Sequence, residues 1–158
     1  METPKLEITA LPESEIDALR PLVTEFVQSH PSLSFKEDYW DAFRSWLGKG
    51  VADDNTNPLI ARLDGNIVGF AVGDIRENAP FFTPDLVGHV GVLVVAGNMR
   101  RRGIGDSLWN ALHSWFASRG VTHYELYTEH GNRISGPFWS RRGFVTFLEK
   151  RRFIPAVS

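Results

Sequence analysis

The stretch "VLVVAGNMRRRGIGDSLWNAL", Val92 to Leu112, constrains the fold more than any other part of the chain. An apolar segment runs through three consecutive arginines into Gly-Ile-Gly, and a helical pattern follows. "LVGHVGVLVVA" is long and apolar without alternation, as expected of a strand inside a sheet. In "IGDSLWNALHSWFAS", Ile104, Leu108, Leu112 and Trp115 recur at helical spacing. A strand that turns through glycines into a helix makes a place for an anion. The leading N–H groups of the helix lack partners, its dipole end is positive, and glycines let a phosphate approach the backbone. The plain alternative is that Gly103 relieves a tight turn and Gly105 is merely tolerated in the first helical turn.

Two known phosphate motifs can be compared by spacing. A P-loop requires Lys-Ser/Thr after its second glycine; Arg102 stands five residues after Gly97 and no such pair follows. The dinucleotide fingerprint requires a third glycine where Leu108 stands. Glu125 lies twenty residues after Gly105, where a ribose-binding acid would be placed, but it falls inside a predicted strand.

Charge narrows the ligand. The chain has 17 basic and 19 acidic residues, a net charge of −2. A nucleic-acid binder usually presents a basic surface that displaces counterions from phosphates, so no nucleic-acid partner is expected. The arginines are clustered locally, at Arg100, Arg101 and Arg102, which suits a compact anionic ligand. With no cysteine, disulfides and thiolate metal sites are excluded. No pair of histidines and carboxylates has a metal-ligand spacing, so no metal is expected. "METPKLEITALPESE" has no apolar leader, and no window approaches 18 uninterrupted apolar residues, so the expectation is a cytoplasmic protein without a membrane partner.

At 158 residues, one domain spanning 1–158 is expected. "KLEITAL" alternates as a first strand. "PESEIDALRPLVTEFVQS" places Ile16, Leu19, Val23, Phe26 and Val27 on one helical face, with Pro21 as a point where the helix kinks or splits. "DYWDAFRSWLGKG" reads as a second helix. "PLIARL" and "IVGFAVGDI" are strands joined at Asp64-Gly65, a strong hairpin signal. After the central strand and its helix come a strand in "VTHYELYT", a short helix in "NRISGPFWSRR", and one or two final strands in "GFVTFLEKRRFIPAV". This order predicts an α/β (α+β) fold, a mixed sheet with helices on its faces.

"VAGNMRRRGIG" fits the pattern V-x-x-x-x-[RQ]-x-x-G-x-[GA], with Val95, Arg100, Gly103 and Gly105 in register. Downstream, Asn132, Gly143 and Phe144 match N-x-x-A-x-x-x-Y-x-x-x-G-F, with Ser135 in place of its alanine and Trp139 in place of its tyrosine. On these two motifs the chain resembles the GNAT superfamily of N-acetyltransferases, over nearly its whole length. The resemblance implies a three-layer fold, with helices on both faces of a twisted, mostly antiparallel sheet of six to seven strands. It also implies acetyl-coenzyme A as cosubstrate, an amine-bearing acceptor, and a homodimer as a common assembly. Backbone N–H groups from Arg101 through Ile104 to Gly105, with Asp106 beside them, would hold the pyrophosphate. Leu93, Val94 and Val95 would run along the pantetheine arm, with Asn132 bonding it from the other side and Phe138 and Trp139 walling the pocket. Arg100 is expected to pack back and shape the loop.

Acetyl transfer to an amine needs a base to take the ammonium proton and donors to polarise the thioester carbonyl. His89 is the first candidate base; simple alternation puts it on one face with Gly91, Leu93 and Val95. The alternative is a histidine at the start of a strand that hydrogen-bonds a neighbour. Glu125 and Tyr127 share a face of the next strand, where either could order a proton-carrying water. In many members of the family the tyrosine of the second motif protonates the leaving sulfur. Trp139 cannot, because indole has no proton that titrates near neutral pH. Two functions therefore stand: an N-acetyltransferase using direct attack, since no cysteine can carry the acetyl group, and a non-catalytic acyl-coenzyme A-binding module. The resemblance implies an acceptor side among His30, Phe35, Glu37, Asp38, Tyr39, Trp40, Asp41, Phe81 and Phe82. That aromatic and acidic rim would suit a cationic amine; the plain alternative is that the acids start helices and the aromatics pack the core.

Overall fold

A computed structural model of the chain describes residues 2–157. They form two compact units, one ending at Tyr127 and the other beginning at Thr128.

The first unit holds five strands: β1 (Leu6–Ala10), β2 (Thr56–Leu63), β3 (Asn66–Glu77), β4 (Leu86–Val95) and β5 (Tyr124–Leu126). They lie in one sheet in chain order; the first four are antiparallel neighbours, and β5 joins β4 in parallel. The β2–β3 hairpin turns at Asp64 (φ 50°) and Gly65 (φ 83°). Positive φ at both central positions gives the turn whose twist matches the strands, which is why Asp-Gly marks it in the sequence.

The helices of this unit are α1 (Arg20–Gln28), α2 (Tyr39–Ala52) and α3 (Ile104–Ser118). The single helix read from Pro12 to Ser29 is split. A 3-10 segment covers Glu13–Leu19, and α1 starts at Arg20 with Pro21 in its first turn. Proline is accommodated there because the first N–H groups of a helix have no partner to lose.

The two faces of the sheet are packed differently. Leu22 and Val23 of α1 and Leu47 of α2 bury against Phe70, Val72, Val92 and Val94. The opposite face receives α3, and it does so closely because three strand positions there carry no side chain. A Cβ on Gly69 would stand 2.8 Å from the Val94 carbonyl oxygen, one on Gly73 would be 2.9 Å from Leu112, and one on Gly88 would be 2.8 Å from Phe116. Contact this tight fixes the position of α3, and with it the start of α3 relative to the end of β4. Ile104, Leu108 and Leu112 are buried as the helical spacing predicts. Phe116 completes that stripe, and Trp115 is half-buried beneath the Arg119 guanidinium, 5.7 Å from its ring.

The second unit contains α4 (Ser135–Ser140). The expected final strands are absent among the described residues: 144–157 carry no regular structure, and Val145, Phe147, Leu148, Phe153 and Ile154 are exposed. The sheet therefore has five strands, not six or seven. Alternation equips a segment to face a core, but a strand exists only when a neighbour takes up its backbone hydrogen bonds.

Candidate active site

The end of β4 is where the sheet opens. Only Gly88, His89 and Val90 pair with β5, opposite Tyr124, Glu125 and Leu126. β4 continues to Val95, so Gly91 through Val95 run on past β5 with their backbone groups on that side not taken up by it. A 3-10 turn, Gly97–Met99, then leads to the arginines. Glu25 of α1 accepts a hydrogen bond from the Gly97 N–H at 3.2 Å, tying this turn to the helical layer.

The arginine–glycine loop bares its backbone. Arg101 (φ 64°) and Gly103 (φ 76°) both adopt the left-handed conformation. For Arg101 this costs on the order of 1 kcal/mol, which the surrounding loop must hold in place. Gly103 is the N-cap of α3 and supplies no capping side chain, so the leading N–H groups keep no partner within the helix. Ile104 and Gly105 are buried, Asp106 is exposed, and Arg100, Arg101 and Arg102 are all exposed. Arg100 is exposed and so does not pack back as expected; it closes the 3-10 turn in an extended conformation (ψ 160°).

Register also corrects the face assigned to His89. Val72 and Gly73 are adjacent on β3, yet they pair with Val92 and Val90, leaving Gly91 as the extra residue of a β-bulge. Paired residues share a face and successive residues alternate, so the bulge reverses the alternation of β4. His89, opposite Asp74, therefore lies on the α1/α2 face with Val92 and Val94, while Leu93 and Val95 face α3.

On that face the three candidate catalytic residues come together. Glu125 is the ladder partner of His89; two residues on, the Tyr127 ring meets the imidazole edge to face at 5.9 Å. Glu125 and Tyr127 are both exposed. Tyr124, on the other face, stacks on Phe116 and lies against Trp109 and His113.

A fourth residue, Asp74, escaped the sequence reading. Its Oδ1 lies 3.1 Å from His89 Nδ1, and its Oδ2 accepts from Arg76 Nε at 2.5 Å. Burial would raise this carboxyl, but the bonds from His89 and Arg76 outweigh it and hold the group below its ordinary value. A carboxylate only accepts, so Nδ1 must carry the proton. In the neutral tautomer that places the lone pair on His89 Nε2, which is shielded from solvent and has no hydrogen-bond partner among the described residues. The available signal was that Asp74 is the sole charged residue in "IVGFAVGDI".

A cleft of about 440 Å³ opens on the same face. Phe35 and Tyr39, from the expected acceptor region, line it, together with Phe26, Phe43 and Trp46; Gly91 and Val92 also line it. Glu37, Asp38 and Asp41 are exposed and are not among its lining residues.

In the second unit Asn132 uses its side chain locally, accepting from the Ile134 and Ser135 N–H groups at 2.9 Å each. Trp139 is buried, edge to face with Phe138 at 4.8 Å and with Phe144 at 5.1 Å. Among the described residues, no group of three or more His, Asp or Glu is placed to hold a metal ion, and no helix is long and apolar enough to cross a membrane.

The sequence model of the acetyltransferase (GNAT) family matches residues 19–144, four-fifths of the chain. The chain belongs to the GNAT acetyltransferase family. No curated protein matches its sequence. Among solved structures, this GNAT chain is similar to a GCN5-related N-acetyltransferase from Ralstonia eutropha (22% identity, 95% of this chain and 99% of the other, TM-score 0.77). It is also similar to the aminoglycoside N-acetyltransferase AAC(6')-Iy in complex with CoA (22% identity, 99% and 97%, TM-score 0.75). A third is a predicted acetyltransferase from Clostridium acetobutylicum with acetyl-CoA (14% identity, 95% and 96%, TM-score 0.79). At these identities the likeness establishes a shared fold. The family acts with acetyl-CoA, and two of these structures hold CoA or acetyl-CoA.

Proposed function

We propose that this chain is an N-acetyltransferase that moves the acetyl group of acetyl-CoA to a primary amine of a small molecule or peptide, by direct attack in a ternary complex. One observation carries the reading: β4 outruns β5 by five residues, Gly91 to Val95, and leads into a helix N-terminus with no side-chain cap. An amide-bearing arm can pair with such a strand edge, and a pyrophosphate suits such a helix start.

Acetyl-CoA supplies an acetyl group already activated as a thioester. Leu93, Val94 and Val95 offer backbone donors and acceptors along the open edge. Arg101 to Gly105 present N–H groups from a left-handed turn, reinforced by the positive end of α3. Arg101 and Arg102 add charge from the surface. The second motif lies within the matched span 19–144, which supports giving Asn132, Phe138 and Trp139 to the cofactor as well. The same match crosses the boundary between the two units, which supports reading 1–158 as one domain.

His89 is the base. Asp74 holds its Nδ1–H and so keeps Nε2 able to accept the proton that the attacking ammonium must lose. Glu125 and Tyr127, on the same face, order the water through which that proton travels. In the overall reaction a C–N bond forms, the C–S bond breaks, and the departing thiolate takes up a proton.

Calorimetry with acetyl-CoA followed by an amine panel read by thiol release tests the proposal. Micromolar binding with amine-dependent thiol release is expected. Binding with release at background would make the chain an acyl-CoA-binding module, and no binding would remove both readings.

A further inference from the structure

The cleft beside β4 has a composition that selects its ligand. Its floor is Gly91 and Val92, at the bulge where β4 begins to part from β5. Gly91 has only a hydrogen to present, and a Cβ there would meet the Trp46 ring at 3.5 Å. One wall is a run of neighbouring rings, most of them edge to face. Phe35 stands 6.4 Å from Tyr39 and 6.3 Å from Phe26; Phe26 is 6.5 Å from Phe43, which is 5.2 Å from Trp46. Phe35 and Trp46 remain 37% and 41% exposed, so the run is not sealed into the core. Its sole charged lining residue is Lys36.

These features disfavour one acceptor chemistry and favour another. A sugar carrying several ammonium groups needs carboxylates to replace its water, and here it would meet aromatic rings and a lysine. A flat ring can join the edge-to-face series, and a single ammonium beside it is compatible with aromatic walls.

We propose that the cleft binds the acceptor, and that the acceptor is a monoamine bearing an aromatic ring, its ring among Phe35, Tyr39, Phe43 and Trp46 and its amine toward Gly91. This rests on the acetyltransferase reading and names the acceptor class for it. The ring then sits on the face that also carries His89, with the amine at the floor where β4 leaves β5.

The test uses phenethylamine, hexylamine and sisomicin as probes on the full chain, with and without acetyl-CoA. Binding is followed by calorimetry and by the Trp46 indole N–H resonance, assigned with Trp46→Phe. Phenethylamine should shift that resonance and bind about tenfold more tightly than hexylamine, the ratio set by ring–ring contacts. Phe35→Ala, at a partly exposed position, should remove most of that preference while leaving thermal unfolding unchanged. Equal binding of phenethylamine and hexylamine, tighter binding of sisomicin, or an unresponsive Trp46 overturns the proposal. If phenethylamine perturbs Trp46 as expected but acetyl-CoA fails to bind, the cleft assignment stands and the acetyltransferase reading falls.

Discussion

Replacing Asp74 by asparagine removes one negative charge and almost no volume, which makes it the sharpest probe of the His89 site. Asp74 accepts from His89 Nδ1 at 3.1 Å and from Arg76 Nε at 2.5 Å. Hydrogen bonds to a charged group contribute about 1.5–3 kcal/mol when buried. The Arg76 side chain is 55% exposed while those of His89 and Asp74 are 12% and 18% exposed, so the arginine share shrinks toward that of a surface pair. The amide oxygen can still accept one bond, and the net loss for Asp74→Asn is about 1–2 kcal/mol at neutral pH. The pH dependence has a definite sign. The folded carboxyl is held below its ordinary value, so its contribution is complete above the unfolded value of about 3.9 and disappears as pH falls through the folded one. Urea unfolding followed by tryptophan fluorescence should therefore show a constant deficit between about pH 5 and 7 that closes below about pH 4. A second measurement, long-range ¹⁵N–¹H NMR of the imidazole, should find His89 protonated at Nδ1 in the wild type and a substantial Nε2–H population in the variant. A deficit that persists in acid, or an unchanged tautomer, refutes the reasoning.

Three further outcomes follow from the same geometry. His89→Ala should lower kcat by about 10²–10⁴-fold while leaving acetyl-CoA affinity within twofold or so, measured by thiol release and calorimetry; an unchanged rate removes His89 as the base. Gly103→Ala puts a Cβ at φ 76° and should cost about 1 kcal/mol of stability; by distorting the start of α3 it should weaken acetyl-CoA binding more than amine binding. Gly88→Ala would place a Cβ 2.8 Å from the Phe116 ring, which is fully buried. Overpacking of this kind should lower stability by about 1–3 kcal/mol in thermal or urea unfolding, and a neutral result would mean that α3 sits less tightly than the structure shows.

Much of the loop between β4 and α3 was legible because its signals are local. Gly103 and Gly105, three and five residues after Arg100, mark a turn and a helix start within a few residues of each other. Neighbouring backbone sterics settle such features without reference to distant chain. Ile104, Leu108 and Leu112 were buried as their spacing implied, and Asp64-Gly65 turned the hairpin. The expected final strands failed for the converse reason: alternation in "GFVTFLEKRRFIPAV" records what a segment can do if paired, and pairing depends on a partner elsewhere.

The surroundings of His89 were hidden in the same way. Asp74 and His89 are fifteen residues apart, and nothing between them states that β3 and β4 meet in that register. The Gly91 bulge is equally silent, because an extra residue is defined only against the strand opposite; yet it moved His89 to the face of Val92 and Val94. The sequence by itself determined a strand, a glycine-opened loop and a helix. Tertiary structure alone decided which carboxylate meets His89, where β4 leaves β5, and that the cleft beside Gly91 is lined by rings and no acid. The division has one physical cause: steric and helical preferences act between near neighbours, whereas register, strand separation and cavity lining arise when residues distant in the chain pack together.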